Sequence, residues 1–132
     1  MEKVIIDTYA MTSLMFGEPN STKIAAYIKE WQAKKTRLII SSVNFGELYY
    51  IILRQKGIEA AEALRGIMAS APIEIEDIGI ETAIAAAGIK AHKKMSYADC
   101  FAAALAKIHK APVLTGDKEF KEVEGEIKVI WV

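Results

Sequence analysis

Short apolar segments rich in β-branched residues alternate with helical repeats from one end of the chain to the other. This alternation constrains the fold more than any other feature. The strand candidates are Val4–Ile6, Leu38–Ile40, Ile73–Ile75, Val113–Leu114 and Ile127–Trp131. Strands that alternate with helices run parallel, and helices then cover both faces of the sheet. The pattern therefore predicts one α/β domain over residues 1–132, with a mainly parallel central sheet of about five strands.

The segments between these strands carry the periodicity of amphipathic helices. Apolar residues recur at i, i+3, i+4 and i+7 over residues 24–31, 45–52 and 97–108. Ala60–Met68 and Ile80–Ile89 form weaker, alanine-rich repeats. Parallel sheets bind ligands at the carboxyl ends of their strands, so polar residues that follow a strand are the first candidates for a site.

Composition excludes several classes of protein. The 132 residues suffice for one core without disulfides, and Cys100 is the only cysteine, which fits a reducing cytoplasm. No apolar run approaches the ~20 residues that cross a bilayer, so we expect no membrane association. Seventeen acids balance seventeen Lys and Arg residues, which argues against a large basic face for duplex DNA. A nucleic-acid enzyme stays open, because bound divalent cations can offset local acids.

Four acids are predicted to lie at the same edge of the sheet. Asp7 and Asp117 follow the first and fourth strands, Glu47 lies early in the helix after the second strand, and Asp99 lies in the first turn of a later helix. A structural explanation also exists, because helix N-termini favour acids. Asp7 and Asp117 could be N-caps, and Ser96–Asp99 and Asn44–Glu47 match the capping-box pattern.

Carboxylates that cluster without a cation repel one another. Two of them ~4–5 Å apart cost roughly 3–4 kcal/mol at an effective dielectric near 20. Such a cluster raises the pKa values of its members or destabilises the fold. No Lys or Arg lies in the corresponding segments except Lys118. If the acids converge, Mg²⁺ or Mn²⁺ is the expected ligand, because both prefer oxygen donors.

The chain resembles the PIN-domain ribonucleases, and most closely the VapC-type toxins of toxin–antitoxin pairs. The matching stretches are IIDTYAM, SSVNFGELYYIILR, MSYADCFAAALA and VLTGDKEF, in the family's order over the whole chain. The resemblance implies a PIN-like fold and an acidic site formed by Asp7, Glu47, Asp99 and Asp117. Thr8 and Thr115 match small polar positions beside that site. Two residues depart from the family pattern: Cys100 replaces a usual alanine, and Tyr9 is bulkier than the common small residue.

The activity that the resemblance implies is hydrolysis of RNA phosphodiester bonds with one or two Mg²⁺ or Mn²⁺ ions. Asp7, Asp99 and Asp117 are the expected metal ligands, and Glu47 could be a ligand or could orient the attacking water. A basic cluster before the Asp99 helix could contact RNA phosphates or could be a solvated helix end. Its lysines are Lys90, Lys93 and Lys94.

The resemblance also implies a homodimer in the cytoplasm that is inhibited by an antitoxin protein. Met11, Leu14, Met15 and Phe16 could form a dimer seam, a groove for a partner helix, or part of the core. Alternatives remain: a PIN nuclease of RNA processing or quality control without an antitoxin, a non-catalytic binding module, or a phospho-acceptor receiver domain. The receiver is a poor match, because Asp7 has no acidic neighbour in its turn.

Overall fold

A five-stranded parallel sheet lies at the centre of the computed structural model, which describes residues 1–132. The strands are β1 Lys3–Ile6, β2 Arg37–Ser41, β3 Ile73–Glu76, β4 Val113–Thr115 and β5 Val129–Trp131. Every neighbouring pair is parallel. The predicted α/β class is confirmed. β5 begins two residues later than predicted, because the Ile127 amide donates to the Val123 carbonyl oxygen instead of a sheet partner.

Seven helical segments connect and follow the strands. They are α1 Thr8–Met15, α2 Ser21–Ala33, α3 Ser42–Lys56, α4 Ile58–Ser70, α5 Ile80–His92, α6 Tyr97–His109 and a 3₁₀ helix at Lys118–Val123. The 3₁₀ helix was not predicted. None of the helices combines the length and apolar character that a bilayer-spanning helix requires.

Alternate residues of the strands pack into two apolar clusters, one on each face of the sheet. Ile5, Ile39 and Val113 face α5, α6 and the 3₁₀ helix. Val4 and Ile6 face the other layer, which is built from α1, α2, α3 and α4. The two faces differ at every second residue because side chains alternate along a strand. Helices on both faces, as predicted, leave the strand ends as the open part of the domain.

The strand order is β3-β2-β1-β4-β5, so the direction of winding reverses between β1 and β4. In open parallel sheets the crevice at this switch point is the usual ligand site. The receiver hypothesis is wrong on this evidence, because receiver domains have the order 2-1-3-4-5. Asp7 follows β1 and Asp117 follows β4, so both acids lie at the switch point.

Candidate metal centre

Asp7 is fully buried at the end of β1 and holds the start of α1. One carboxylate oxygen accepts from the Ala10 amide at 2.9 Å, and the other accepts from the Thr115 hydroxyl at 2.5 Å. Burial raises the pKa of Asp7 to about 7, against the lowering effect of these two hydrogen bonds. The charges of Asp117 and Glu47 raise it further. Asp7 is thus both the predicted N-cap and a member of an acidic group.

Thr115 connects the two acids at the switch point. While its hydroxyl donates to Asp7, the same oxygen accepts from the Asp117 amide at 2.9 Å. Asp117 in turn caps the 3₁₀ helix through a 2.9 Å bond from the Glu119 amide. Each acid therefore has a fixed backbone partner, which holds its carboxylate in one place.

Asp99 lies in the first turn of α6 and is 5% exposed. Its amide donates to the Ser96 hydroxyl, but the return bond of a capping box is absent, because the Ser96 amide donates to Glu119 at 2.6 Å. One Asp99 oxygen is buried without a partner. Burial is the main reason that the pKa of Asp99 rises to about 9; a hydrogen bond with Glu119, the Asp117 charge and a hydrogen bond with Asp117 add to it.

Glu119 is the acid that the sequence analysis missed. Carboxylate oxygens of Asp99, Asp117 and Glu119 all lie within 4.8 Å of one another, a spacing that one cation can span. The position of Glu119, two residues after Asp117 in VLTGDKEF, was the sequence signal that could have identified it. The three oxygens are hard donors of the kind that Mg²⁺ and Mn²⁺ prefer.

Glu47 lies in the second turn of α3 and is half-buried, further from this close cluster. Its charge still contributes to the raised pKa of Asp7. The predicted capping box at Asn44–Glu47 is wrong, because Ser41 caps α3 through a 2.9 Å bond from the Asn44 amide. The helix begins earlier than the pattern suggested, so Glu47 lies beyond the first turn and does not cap the helix.

Asn44 is fully buried and holds three segments of the site together. Its side-chain oxygen accepts from the Ser41 hydroxyl at 2.5 Å, and its amide nitrogen donates to the Thr8 hydroxyl and the Ala98 carbonyl, both at 3.1 Å. Thr8 also donates to the Asn44 carbonyl at 3.3 Å. This network connects the ends of β1 and β2 to the start of α6.

Asp99, Asp117 and Glu47 line a cleft of about 600 Å³, whereas Asp7 and Glu119 are not part of its wall. It is lined by Thr8, Tyr9, Thr12, Ser13, Glu18, Pro19, Asn20, Glu47, Ile51, Ser96, Asp99 and Asp117. No Lys, Arg or His is among these residues. Thr12, Asn20 and Asp99 carry the chain's three buried side-chain oxygens without a hydrogen-bond partner. Buried polar atoms are normally paired, so their concentration in one cleft indicates a place where a bound ligand would satisfy them.

The lysines expected to contact RNA do not line this cleft. Lys90 donates to the Met95 carbonyl at 2.7 Å, and Lys93 forms an ion pair with Glu126 at 3.3 Å. Lys94 is exposed, and its backbone amide donates to Glu122. Only Lys94 therefore has an uncommitted ammonium group for a phosphate, and its contact with RNA stays a prediction.

Comparison with known proteins agrees with this architecture. A family model described as PIN domain matches residues 4–126. The toxin VapC20 of Mycobacterium tuberculosis, described as cleaving the sarcin–ricin loop, is 18% identical, with 98% of this chain and 99% of that chain covered and a TM-score of 0.75. VapBC2 from Rickettsia felis, solved with a promoter DNA fragment, is 19% identical, with 98% of both chains covered and a TM-score of 0.80. DNA-bound VapBC from Salmonella typhimurium is 23% identical, with 98% of both chains covered and a TM-score of 0.76. No curated protein matches the chain in sequence.

Proposed function

Because the chain belongs to the PIN-domain family, we propose that it is a Mg²⁺- or Mn²⁺-dependent endoribonuclease and the toxin of a toxin–antitoxin pair. The observation that carries the proposal is the close group of Asp99, Asp117 and Glu119 at the switch point of the sheet, with Asp7 near enough for its charge to act on Asp99. The pKa values of Asp7 and Asp99 are raised, and no basic residue lines the cleft. The fold by itself does not require such a cluster, because grouping buried carboxylates without a cation raises the free energy of the folded chain.

The residues at the site fit a divalent cation. Asp99 and Asp117 would hold it, with Asp7 as the third ligand from our sequence analysis and Glu119 as an additional ligand from the geometry. The unpaired oxygen of Asp99 is available as a ligand atom for the cation. When bound, such an ion would activate water for attack on phosphorus and offset the negative charge that builds on the phosphate oxygens.

The chain's own residues position these ligands. Thr115 holds the Asp7 and Asp117 segments together, and Asn44 holds Thr8, Ser41 and Ala98 in register. Glu47, on the cleft wall, is placed to accept a proton from a water molecule or to orient it.

The antitoxin part of the proposal rests on the structural neighbours and on one surface. Several neighbours are described as VapBC or toxin–antitoxin complexes. In this chain an apolar groove is formed by Met15, Phe16, Ile52, Lys56, Ala60, Leu64 and Ile67. Six of these seven residues are apolar, which suits the apolar face of a partner helix. Met11, in contrast, is 1% exposed and belongs to the core.

A homodimer and a cytoplasmic location are further parts of the proposal. Light scattering of the purified chain tests the first: we expect twice the 14.5 kDa monomer mass. A constant monomer mass at increasing concentration would contradict it.

A PIN nuclease of RNA processing, without an antitoxin, has the same site and is the second candidate. A small gene beside this one whose product co-purifies with the chain would favour the toxin. A chain that cuts RNA and has no such partner favours the processing enzyme.

The test of the nuclease is cleavage of total RNA by the wild type and by Asp7→Asn and Asp99→Asn, each with Mg²⁺, with Mn²⁺ and with a chelator. We expect the wild type to cut RNA when a metal ion is present, and neither Asp7→Asn nor Asp99→Asn to cut it under any of these conditions. Asp77→Asn is the matched control, because Asp77 is exposed and does not line the cleft. Folded variants that cut as fast as the wild type, or cleavage that survives chelation, would refute the proposal.

A further inference from the structure

Tyr9 has an unusual place in the site. It lies two residues after Asp7 in the first turn of α1 and is 39% exposed, although it lines the acidic cleft. Its ring packs against Gly116, where an added Cβ would come within 2.3 Å of Tyr9 Cε1 and 2.9 Å of the Val132 carbonyl oxygen. Only glycine leaves this space, so the ring is held beside the strand end that carries Thr115.

Tyr9 also differs from the other four tyrosines of the chain. Tyr27 stacks on Trp31, Tyr49 packs on Phe45 and Tyr97 packs edge-on against Phe101, with ring centroids 5.0, 6.4 and 4.8 Å apart. Tyr50 lies under the guanidinium of Arg54 at 5.5 Å. Tyr9 has no such aromatic or cationic partner, and because it is partly exposed and lines the cleft, a ligand there can contact its ring.

The charge of the cleft makes an uncharged contact valuable. Nucleic-acid binding usually draws its affinity from Lys and Arg on phosphates. Here the lining contains Glu18, Glu47, Asp99 and Asp117, no basic residue, and one aromatic residue, Tyr9. Metal ions would attract the phosphate at the cut, but the rest of the RNA needs another contact. Stacking of a base on an aromatic ring is favourable whatever the base.

We propose that Tyr9 is a substrate-positioning residue that stacks against one unpaired base beside the scissile phosphate of a single-stranded RNA segment. This inference rests on the proposed ribonuclease function. A base in a helix is stacked on its neighbours, so the contact selects loops, bulges or ends over duplex. It assigns a positioning role to the bulky residue at this position.

The test measures binding separately from cleavage. A fluorescein-labelled single-stranded RNA is titrated with wild type, Tyr9→Phe and Tyr9→Leu by fluorescence anisotropy. Ca²⁺, which also takes carboxylate ligands, replaces Mg²⁺, and the RNA is checked for integrity on a gel. We expect Tyr9→Leu to weaken binding between about fivefold and about a hundredfold, and Tyr9→Phe to bind like the wild type. Tyr50→Leu is the matched control, since Tyr50 is similarly exposed outside the cleft.

A set of RNAs with one abasic position each separates stacking from a structural role. At one position, removal of the base should abolish the difference between wild type and Tyr9→Leu. The ratio of their dissociation constants should also stay the same between roughly 50 and 200 mM salt, because stacking releases no counterions. On cleaved RNA, Tyr9→Leu should raise KM more than it lowers kcat.

Several results would overturn the inference. They are equal affinity of Tyr9→Leu and wild type, an equal loss on every abasic RNA, an equal loss on duplex, and no binding of single-stranded RNA by the wild type. If the wild type binds RNA with the expected dependence on Tyr9 but never cuts it, the ribonuclease proposal fails and the stacking contact stands.

Discussion

Replacing Asp99 by Asn should make the metal-free protein more stable, and the gain should grow with pH. Asp99 lies within 4.8 Å of acidic oxygens on Asp117 and Glu119. One pair of charges at that distance repels by about 3 kcal/mol at an effective dielectric near 20. Burial in the first place, and these neighbouring acids in addition, raise the pKa of Asp99 in the folded chain to about 9, from an ordinary value of 3.8. An amide at this position removes the charge and can donate to both neighbours.

The sign of the pH dependence follows from proton binding. Between pH 3.8 and pH 9 the folded state keeps the Asp99 proton that the unfolded state has lost, so the free energy of unfolding falls as pH rises. Each pH unit in this interval costs about 1.4 kcal/mol. Screening by water in the open cleft reduces the effect, so from pH 5 to pH 7 the wild type should lose about 2 kcal/mol relative to Asp99→Asn.

Urea denaturation in the presence of a chelator, followed by circular dichroism at both pH values, measures this difference. The exposed control Asp77→Asn should stay parallel to the wild type. Added Mn²⁺ should then stabilise the wild type and have little effect on Asp99→Asn, because a ligand that binds only the folded state shifts the unfolding equilibrium. Parallel pH curves for wild type and Asp99→Asn would refute the reasoning, since Asp99 would then titrate like an ordinary exposed acid.

Four further outcomes follow from the same geometry. Asn44→Ala should lower the free energy of unfolding in urea by about 3 kcal/mol, because three buried hydrogen bonds of its side chain, to Ser41, Thr8 and Ala98, are lost; a loss below about 1 kcal/mol would contradict that network. Mn²⁺ affinity by calorimetry should rise more than about tenfold from pH 6 to pH 8, because the metal must displace the protons of Asp99, whose pKa is about 9, and of Asp7, whose pKa is about 7; a flat profile would exclude both acids as ligands. Glu119→Gln should weaken Mn²⁺ binding by about tenfold or more and lower the pKa of Asp99, and unchanged affinity would remove Glu119 from the site. Lys94→Ala should weaken RNA binding and reduce its salt dependence by about one unit of slope, and no change in slope would leave the lysine as part of a solvated helix end.

The sequence predicted the architecture and placed Asp99 and Asp117 near each other because both depend on the order of strands and helices. Strand ends in a parallel sheet share an edge whatever the details of packing. The alternative of N-terminal capping proved compatible with a site: Asp7 and Asp117 each cap a helix and still face the acidic group. Position alone could not separate the two explanations, since one side chain does both.

Glu119 and Asn44 were missed for different reasons. Glu119 joins the cluster because its carboxylate accepts a hydrogen bond from the Ser96 amide, 23 residues earlier in the chain. Glu119 lies in a 3₁₀ helix, and such short helices have little sequence signature. Asn44 belongs to two overlapping capping patterns: it begins the segment Asn44–Glu47 and ends the segment Ser41–Asn44. Which pattern forms depends on where β2 ends, and pairing with β3 up to Ser41 decides it.

The pairing of β1 with β4 also bears on when the protein acquires activity during its synthesis. Asp7 leaves the ribosome early, whereas Thr115 and Asp117 emerge more than a hundred residues later. An incomplete nascent chain that ends before β4 lacks half of the switch-point crevice and cannot gather the carboxylates there. Synthesis must therefore pass Asp117 before the carboxylates of this site can come together.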